Sequence, residues 1–169
     1  PHLARGKDIH FDAFPLSDGD ERQPIIQRRP EIIHGLRNLV QNAVDFASAH
    51  VWVECAWDKD FVIVKIIDDG PGFPSSVIGR IGDPFVSARR TPSKRRPGYE
   101  GMGLGLFIAK TLLERSGAEM TFANGRNDPV LAEPERSGAT IEARWRRDAL
   151  GNTQNADRAA LGENVQIKQ

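Results

Sequence analysis

The chain has 169 residues, in which 23 Lys plus Arg are balanced by 23 Asp plus Glu. That length suits one domain with a single core, burying about 70% of the surface its unfolded chain exposes, and the balance excludes the basic excess that marks a nucleic-acid binder. The single cysteine, Cys55, excludes an intrachain disulfide and a cysteine-cluster metal site, in keeping with a reducing compartment. No apolar run approaches the roughly 18 residues that span a bilayer, and no signal-peptide pattern opens the chain. A start at Pro1 without methionine is expected of a fragment.

Residues 8–14 (DIHFDAF) alternate apolar Ile9, Phe11 and Ala13 with polar neighbours, which predicts a half-buried first strand with His10 as an ordinary surface residue on its polar side. A polar loop follows, interrupted by Ile25 and Ile26. Pro30 and Glu31 then open a helix predicted to reach about Ala49, because proline is tolerated in the first turn and an acid complements the helix dipole. Within it, residues 36–47 (LRNLVQNAVDFA) carry an apolar stripe of Leu36, Leu39, Val40, Ala43 and Ala47, with Asn38, Asn42 and Asp45 opposite. Asparagine is a mediocre helix former because its amide competes for backbone hydrogen bonds. Two of them one turn apart fit a hard-oxygen site for Mg²⁺ and phosphate, although a solvated polar face gives the same pattern.

Two β-rich runs, residues 51–57 and 61–67, flank Asp58-Lys59-Asp60 and predict an antiparallel hairpin. Cys55 alternates with Val51 and Val53 and reads as an inward core filler. The second strand runs into Asp68-Asp69-Gly70-Pro71-Gly72, where glycine permits a backbone path strained for other residues; an acidic turn is the plainer reading. Residues 74–80 are predicted to form a short helix, and Asp83-Pro84-Phe85 follows. Residues 86–100, with Arg89, Arg90, Lys94, Arg95 and Arg96, have the composition of a mobile, positively charged lid.

Gly101, Gly103 and Gly105 introduce a second helix, in which Leu104, Leu106, Ile108, Leu112 and Leu113 are expected to enter the core and Gly117 to end the element. A glycine-rich helix entrance is a ready anion site. Its G-x-G-x-G spacing after a basic loop is not a dinucleotide turn, and neither a G-x-x-x-x-G-K-[ST] loop nor the protein-kinase motif set is present. Residues 119–123 and 139–145 predict two closing strands, and the chain beyond 147 is polar and aperiodic, as expected of a disordered tail.

Taken in order, LRNLVQNAVDFA, DDGPG and GMGLGL resemble the catalytic ATP-binding domain of bacterial two-component sensor histidine kinases, a branch of the GHKL ATPase superfamily, over roughly residues 8–146. The expected fold is an α/β sandwich, a mixed, largely antiparallel sheet covered on one face by helices, with a domain at 1–147, a lid at about 86–100 and a tail at 148–169. By this resemblance the cofactors are ATP and Mg²⁺. Asn42 coordinates the metal and Asn38 supports the phosphate region. Asp68 accepts the adenine amino group, Gly70 and Gly72 let the base lie against the chain, and Thr140 lies near it. Phe85 stands beside the nucleotide, Arg89 and Arg90 belong to the lid, and Gly101, Gly103, Leu104 and Gly105 hold the phosphates.

The resemblance also places the phosphoacceptor histidine on a dimerisation domain of the same parent, since none of His2, His10, His34 or His50 lies in the acceptor motif. The chain is thus expected to be a donor half-enzyme that does not phosphorylate itself in isolation. GHKL ATPases instead carry a water-activating glutamate where Asn38 stands, and an amide is no general base; a degenerate domain that binds only partners is the third reading. Many relatives have lysine at the position of Asp45 and tyrosine at that of Phe46, so the lysine's phosphate contact is reassigned to Arg89 or Arg90. GLRNLVQNAVDFA, IGDPFVSARR and EGMGLGLFIAKTLLERSGA are most similar to the redox-responsive RegB/PrrB kinases. That likeness implies a cytoplasmic domain of a dimeric parent anchored in the inner membrane, a cognate response regulator as partner, and no direct contact with nucleic acid.

Overall fold

The computed structural model describes residues 6–16, 22–74, 78, 81, 102–125 and 136–151. Its elements are β1 (Asp8–Pro15), α1 (Pro30–Phe46), β2 (His50–Trp57), β3 (Phe61–Asp68), α2 (Met102–Arg115), β4 (Glu119–Asn124), β5 (Ala139–Arg146) and α3 (Arg147–Gly151). The five strands form one sheet in the order β1-β2-β3-β5-β4, with β1 parallel to β2 and every other pair antiparallel. This is the mixed, largely antiparallel sheet that the sequence predicts.

Strand side chains alternate between faces, and one face supplies the core. Val51, Val53, Cys55 and Trp57 of β2, Val62, Val64 and Ile66 of β3, and Ile141, Ala143 and Trp145 of β5 pack with Leu39 and Ala43 of α1 and Leu106, Ala109 and Leu113 of α2. Cys55 takes the inward position expected, and burial pushes its thiol up from the ordinary value, which lowers its thiolate fraction and suits packing better than redox chemistry. The β2–β3 turn is closed by Asp58, whose Oδ1 accepts from Asp60 N at 2.8 Å and Phe61 N at 2.7 Å.

Four boundaries or burials differ from expectation. First, α1 stops at Phe46 rather than near Ala49, because Asp69 captures the next free amides, Ser48 N and Ala49 N, in an extended path. Second, β1 is exposed along its whole length, with Phe11 at 67%, because α1 rests on β2 and β3 and α2 on β4, so the apolar side of the edge strand lies outside the helices' footprint. Third, Leu104 and Ile108 are exposed at the start of α2, where Leu106, Ala109 and Leu113 form the buried stripe. Fourth, the packed chain continues past 147: α3 buries Leu150. The short helix read at 74–80 is described only at Pro74 and Ile78, where Ile78 N donates to Pro74 O at 3.1 Å; residues 86–100 and the tail beyond 151 lie outside the described residues.

The end of α2 is the one predicted. Gly117 has φ +96°, Gly117 N donates to Glu114 O at 2.9 Å, and Ala118 N reaches back to Leu113 O at 3.0 Å, a glycine-dependent helix stop.

α1 and α2 are in close contact at Gly35, where an added Cβ would stand 2.5 Å from Leu113 Cγ, and Leu113 is fully buried. Overpacking costs about 1–3 kcal/mol, more than the roughly 1 kcal/mol of helix propensity gained on replacing glycine by alanine. Gly35→Ala should therefore lower the free energy of urea unfolding, whereas the same change in a Leu113→Ala background, with room made for the methyl, should raise it. A double-mutant cycle without this reversal of sign would overturn the contact's role.

Candidate functional site

The core stripe of β3, Val62, Val64 and Ile66, continues in register to Asp68, which is 3% exposed. A carboxylate so placed must be hydrogen-bonded to remain in the fold. Its Oδ1 accepts from Gly70 N at 2.8 Å and Ala139 N at 3.1 Å, while no donor among the described residues reaches Oδ2. Burial pushes the Asp68 carboxyl above its usual range, against the opposing pull of the two backbone donors.

The surrounding glycines are dictated by this packing. A Cβ at Gly138 would stand 2.0 Å from Asp68 Oδ1, and one at Gly70 would stand 2.3 Å from the carbonyl oxygen of Phe46 at the end of α1. Gly72 has φ +75° and lies against the Asn124 amide. Gly70 and Gly72, assigned by resemblance to making room for a base, are thus required by the chain itself.

Three residues that build the site were not singled out from the sequence. Asp69 accepts from Ser48 N at 2.7 Å and from Ala49 N at 3.0 Å, joining the end of β3 to the exit of α1; burial alone would raise its pKa, but these backbone donors outweigh it and hold the group below the usual range. Asn124 grips both backbone groups of Phe73, accepting from its N at 2.7 Å and donating to its O at 2.8 Å, which anchors the glycine loop to β4. Lys7 Nζ donates to the carbonyl oxygens of Val44 and Asp45, capping α1, and its charge favours the ionised form of Asp68. The sequence signal for Asn124, Asn-Gly at a strand end, reads first as a turn.

Asn42 is 8% exposed. It lies on the buried stripe Gly35, Leu39, Asn42 rather than on a solvent face, because α2 covers that side of α1. Asn38, one turn earlier, is half-buried and Asp45 exposed. Because α2 begins at Met102, Gly103, Leu104 and Gly105 fall in its first turn, where backbone N–H groups lack intrahelical partners; Leu104 is 61% exposed and an added Cβ at Gly105 meets nothing. Thr140 does not join Asp68. The register pairs Asp68's neighbour Ile67 with Thr140, which sets Thr140 on the sheet face away from the helices, and Ala139 is the β5 residue in contact with Asp68. Phe85, Arg89, Arg90 and Gly101 lie outside the described residues. Among the described residues no helix is long and apolar enough to cross a membrane.

Residues 27–149 match the family model for histidine kinase-, DNA gyrase B-, and HSP90-like ATPases. The chain belongs to that family. It is 59% identical, over 99% of its length, to the sensor histidine kinase RegB of Cereibacter sphaeroides, of which it spans 37%. It is also 36% identical over 53% of its length to the sensor protein kinase PilS of Pseudomonas aeruginosa, spanning 16% of that protein. Among solved structures, the mycobacterial sensor histidine kinase MprB and the catalytic domain of the histidine kinase ThkA each superpose with a TM-score of 0.56 at 21% identity. Each match covers 82% of this chain, with 81% of MprB and 80% of ThkA, and these two likenesses establish the fold.

Asp68→Asn tests the carboxylate. The amide oxygen can still accept from Gly70 and Ala139, so the fold survives and the buried charge is removed. A raised carboxyl pKa means that ionised Asp68 lowers stability at neutral pH and that this loss disappears as pH falls through the folded-state value. The variant should therefore melt at a higher temperature than wild type at pH 7, and the two should converge as the pH is lowered; a lower melting temperature at pH 7 would refute the assignment.

Proposed function

We propose that this chain is the ATP-binding catalytic domain of a sensor histidine kinase, which binds Mg-ATP and donates the γ-phosphoryl group to a histidine on a dimerisation domain of the same parent protein. The observation that carries this reading is the Asp68 carboxylate, with Oδ1 held by two backbone amides and Oδ2 without a donor among the described residues. An ionised carboxylate accepts only, so a base bearing an exocyclic amino group is the partner it fits.

Phosphoryl transfer depends on positioning and on neutralising charge. The residues of α1 and α2 divide that work: Asn42 offers an amide oxygen to the metal, Asn38 supports the phosphate region, and the first-turn amides of Gly103, Leu104 and Gly105, with Gly101 before them, hold phosphate oxygens at the positive end of the helix dipole. By the resemblance, Phe85 is assigned to the side of the nucleotide and the charge of Arg89 and Arg90 to its phosphates. Bound Mg²⁺ supplies the remaining positive charge at the transferring group. Thr140 has no contact in this assignment, since Ala139 occupies the place beside Asp68.

Similarity to RegB favours transfer over hydrolysis, as does Asn38, which cannot activate water. The same similarity supports a cognate response regulator as the partner downstream of the dimerisation domain, and a parent protein anchored in the inner membrane with this domain on the cytoplasmic side.

Calorimetric titration with a non-hydrolysable ATP analogue and Mg²⁺ should give saturable binding. A hydrogen bond to a charged group is worth about 1.5–3 kcal/mol, so Asp68→Ala should weaken binding roughly ten- to a hundred-fold, and Asn42→Ala should remove the dependence on Mg²⁺. Replacing both Arg89 and Arg90 by alanine should weaken ATP more than adenosine. With a dimerisation domain added, phosphohistidine should form; absence of nucleotide binding by the folded chain, or phosphate release without an acceptor as the main reaction, would overturn the proposal.

A further inference from the structure

We propose that His10 of β1 and His50 of β2 form a two-nitrogen chelate for a divalent transition-metal ion, apart from the nucleotide site, that fastens the edge strand to the sheet. His10 Nε2 and His50 Nδ1 lie 3.4 Å apart, although 40 positions separate the residues in sequence. Two imidazole nitrogens bound to one zinc ion at about 2.0–2.1 Å in tetrahedral geometry stand roughly 3.4 Å apart, so the pair already has the span of the chelate.

The rings are held in place by Trp52, whose side chain is itself buried. His10 stacks on Trp52 with centroids 5.8 Å apart and planes 17° apart, His50 tilts against it at 5.7 Å, and the two imidazoles are 5.6 Å apart. Restricting both rotors beforehand reduces the entropy lost on binding. The Asp8 carboxylate, with Oδ2 3.9 Å from His50 Nδ1, adds negative charge beside the pair, and the nearby Arg136 guanidinium, over Trp52, is paired with Glu54. Among the described residues no third His, Cys, Asp or Glu joins the pair, and water would fill the remaining positions of the sphere. Imidazole selects zinc, copper or nickel, whereas magnesium prefers oxygen, which separates this ion chemically from the one assigned to Asn42.

The location gives the chelate a mechanical effect. Asp8 N donates to Ala49 O at 2.8 Å and Asp69 N to His50 O at 3.3 Å, so the metal would clamp the strand ends that flank the turn gripped by Asp69.

The test is thermal unfolding of the whole chain with ZnCl₂, without nucleotide or magnesium. At a hundred-fold excess over its dissociation constant, zinc should raise the Tm by roughly 5–10 °C with single-site saturation. His50→Ala and His10→Phe, the latter keeping a ring to stack on Trp52, should abolish the rise, and His34→Ala should retain it. An unchanged Tm in wild type, an equal response to Mg²⁺, or a wild-type zinc response in folded His10→Phe and His50→Ala would each overturn the proposal.

Discussion

The buried carboxylate of Asp68 is the constraint on which the structure around it depends. Its Oδ1 ties the end of β3 to the start of β5 through Ala139 N and to the following loop through Gly70 N. That arrangement requires glycine at 138, where the chain passes within contact distance of the same oxygen, and glycine at 70, where the carbonyl of Phe46 closes in from α1. One side chain thus brings the sheet end, the helix end and the loop to a common point. Burying this charge costs stability, which the two backbone donors offset in part.

Asp45 shows how an electrostatic requirement can be met from elsewhere in the chain. This acid is exposed and accepts from Gln41 Nε2 at 2.7 Å, and the last turn of α1 contains no basic residue. The cation that complements the negative end of the helix dipole is Lys7, which arrives from the approach to β1.

Local features were legible in the sequence because local rules produce them. Alternation marked β2, β3 and β5, the helical period marked α1 and α2, and the stop at Gly117 followed from the ease with which glycine adopts positive φ. The contacts that shape the site were illegible for the opposite reason: Asp69 reaches 21 residues back to Ser48, Asn124 reaches 51 to Phe73, and Lys7 reaches 37 to Val44, separations at which no short pattern signals a partner. Thr140 is an instance of register. In a strand one residue exchanges the two faces, so Ala139 and not Thr140 stands beside Asp68. Leu104 and the apolar side of β1 fit amphipathic patterns, but pattern alone does not tell how far the helices extend over the sheet.

The edge strand has a consequence for the domain's dynamics. β1 is joined to β2 by a parallel ladder across the intervening α1, and none of its residues belongs to the core that α1, α2 and β2–β5 build. Regions with exposed hydrogen bonds and little burial open at free energies well below that of global unfolding. In the native state, amide exchange along β1 should be governed by this partial opening while Val62 to Ile66 exchange only with the whole domain. The edge strand is thus the part of the sheet expected to open first, ahead of the strands that carry Asp68 and Ala139.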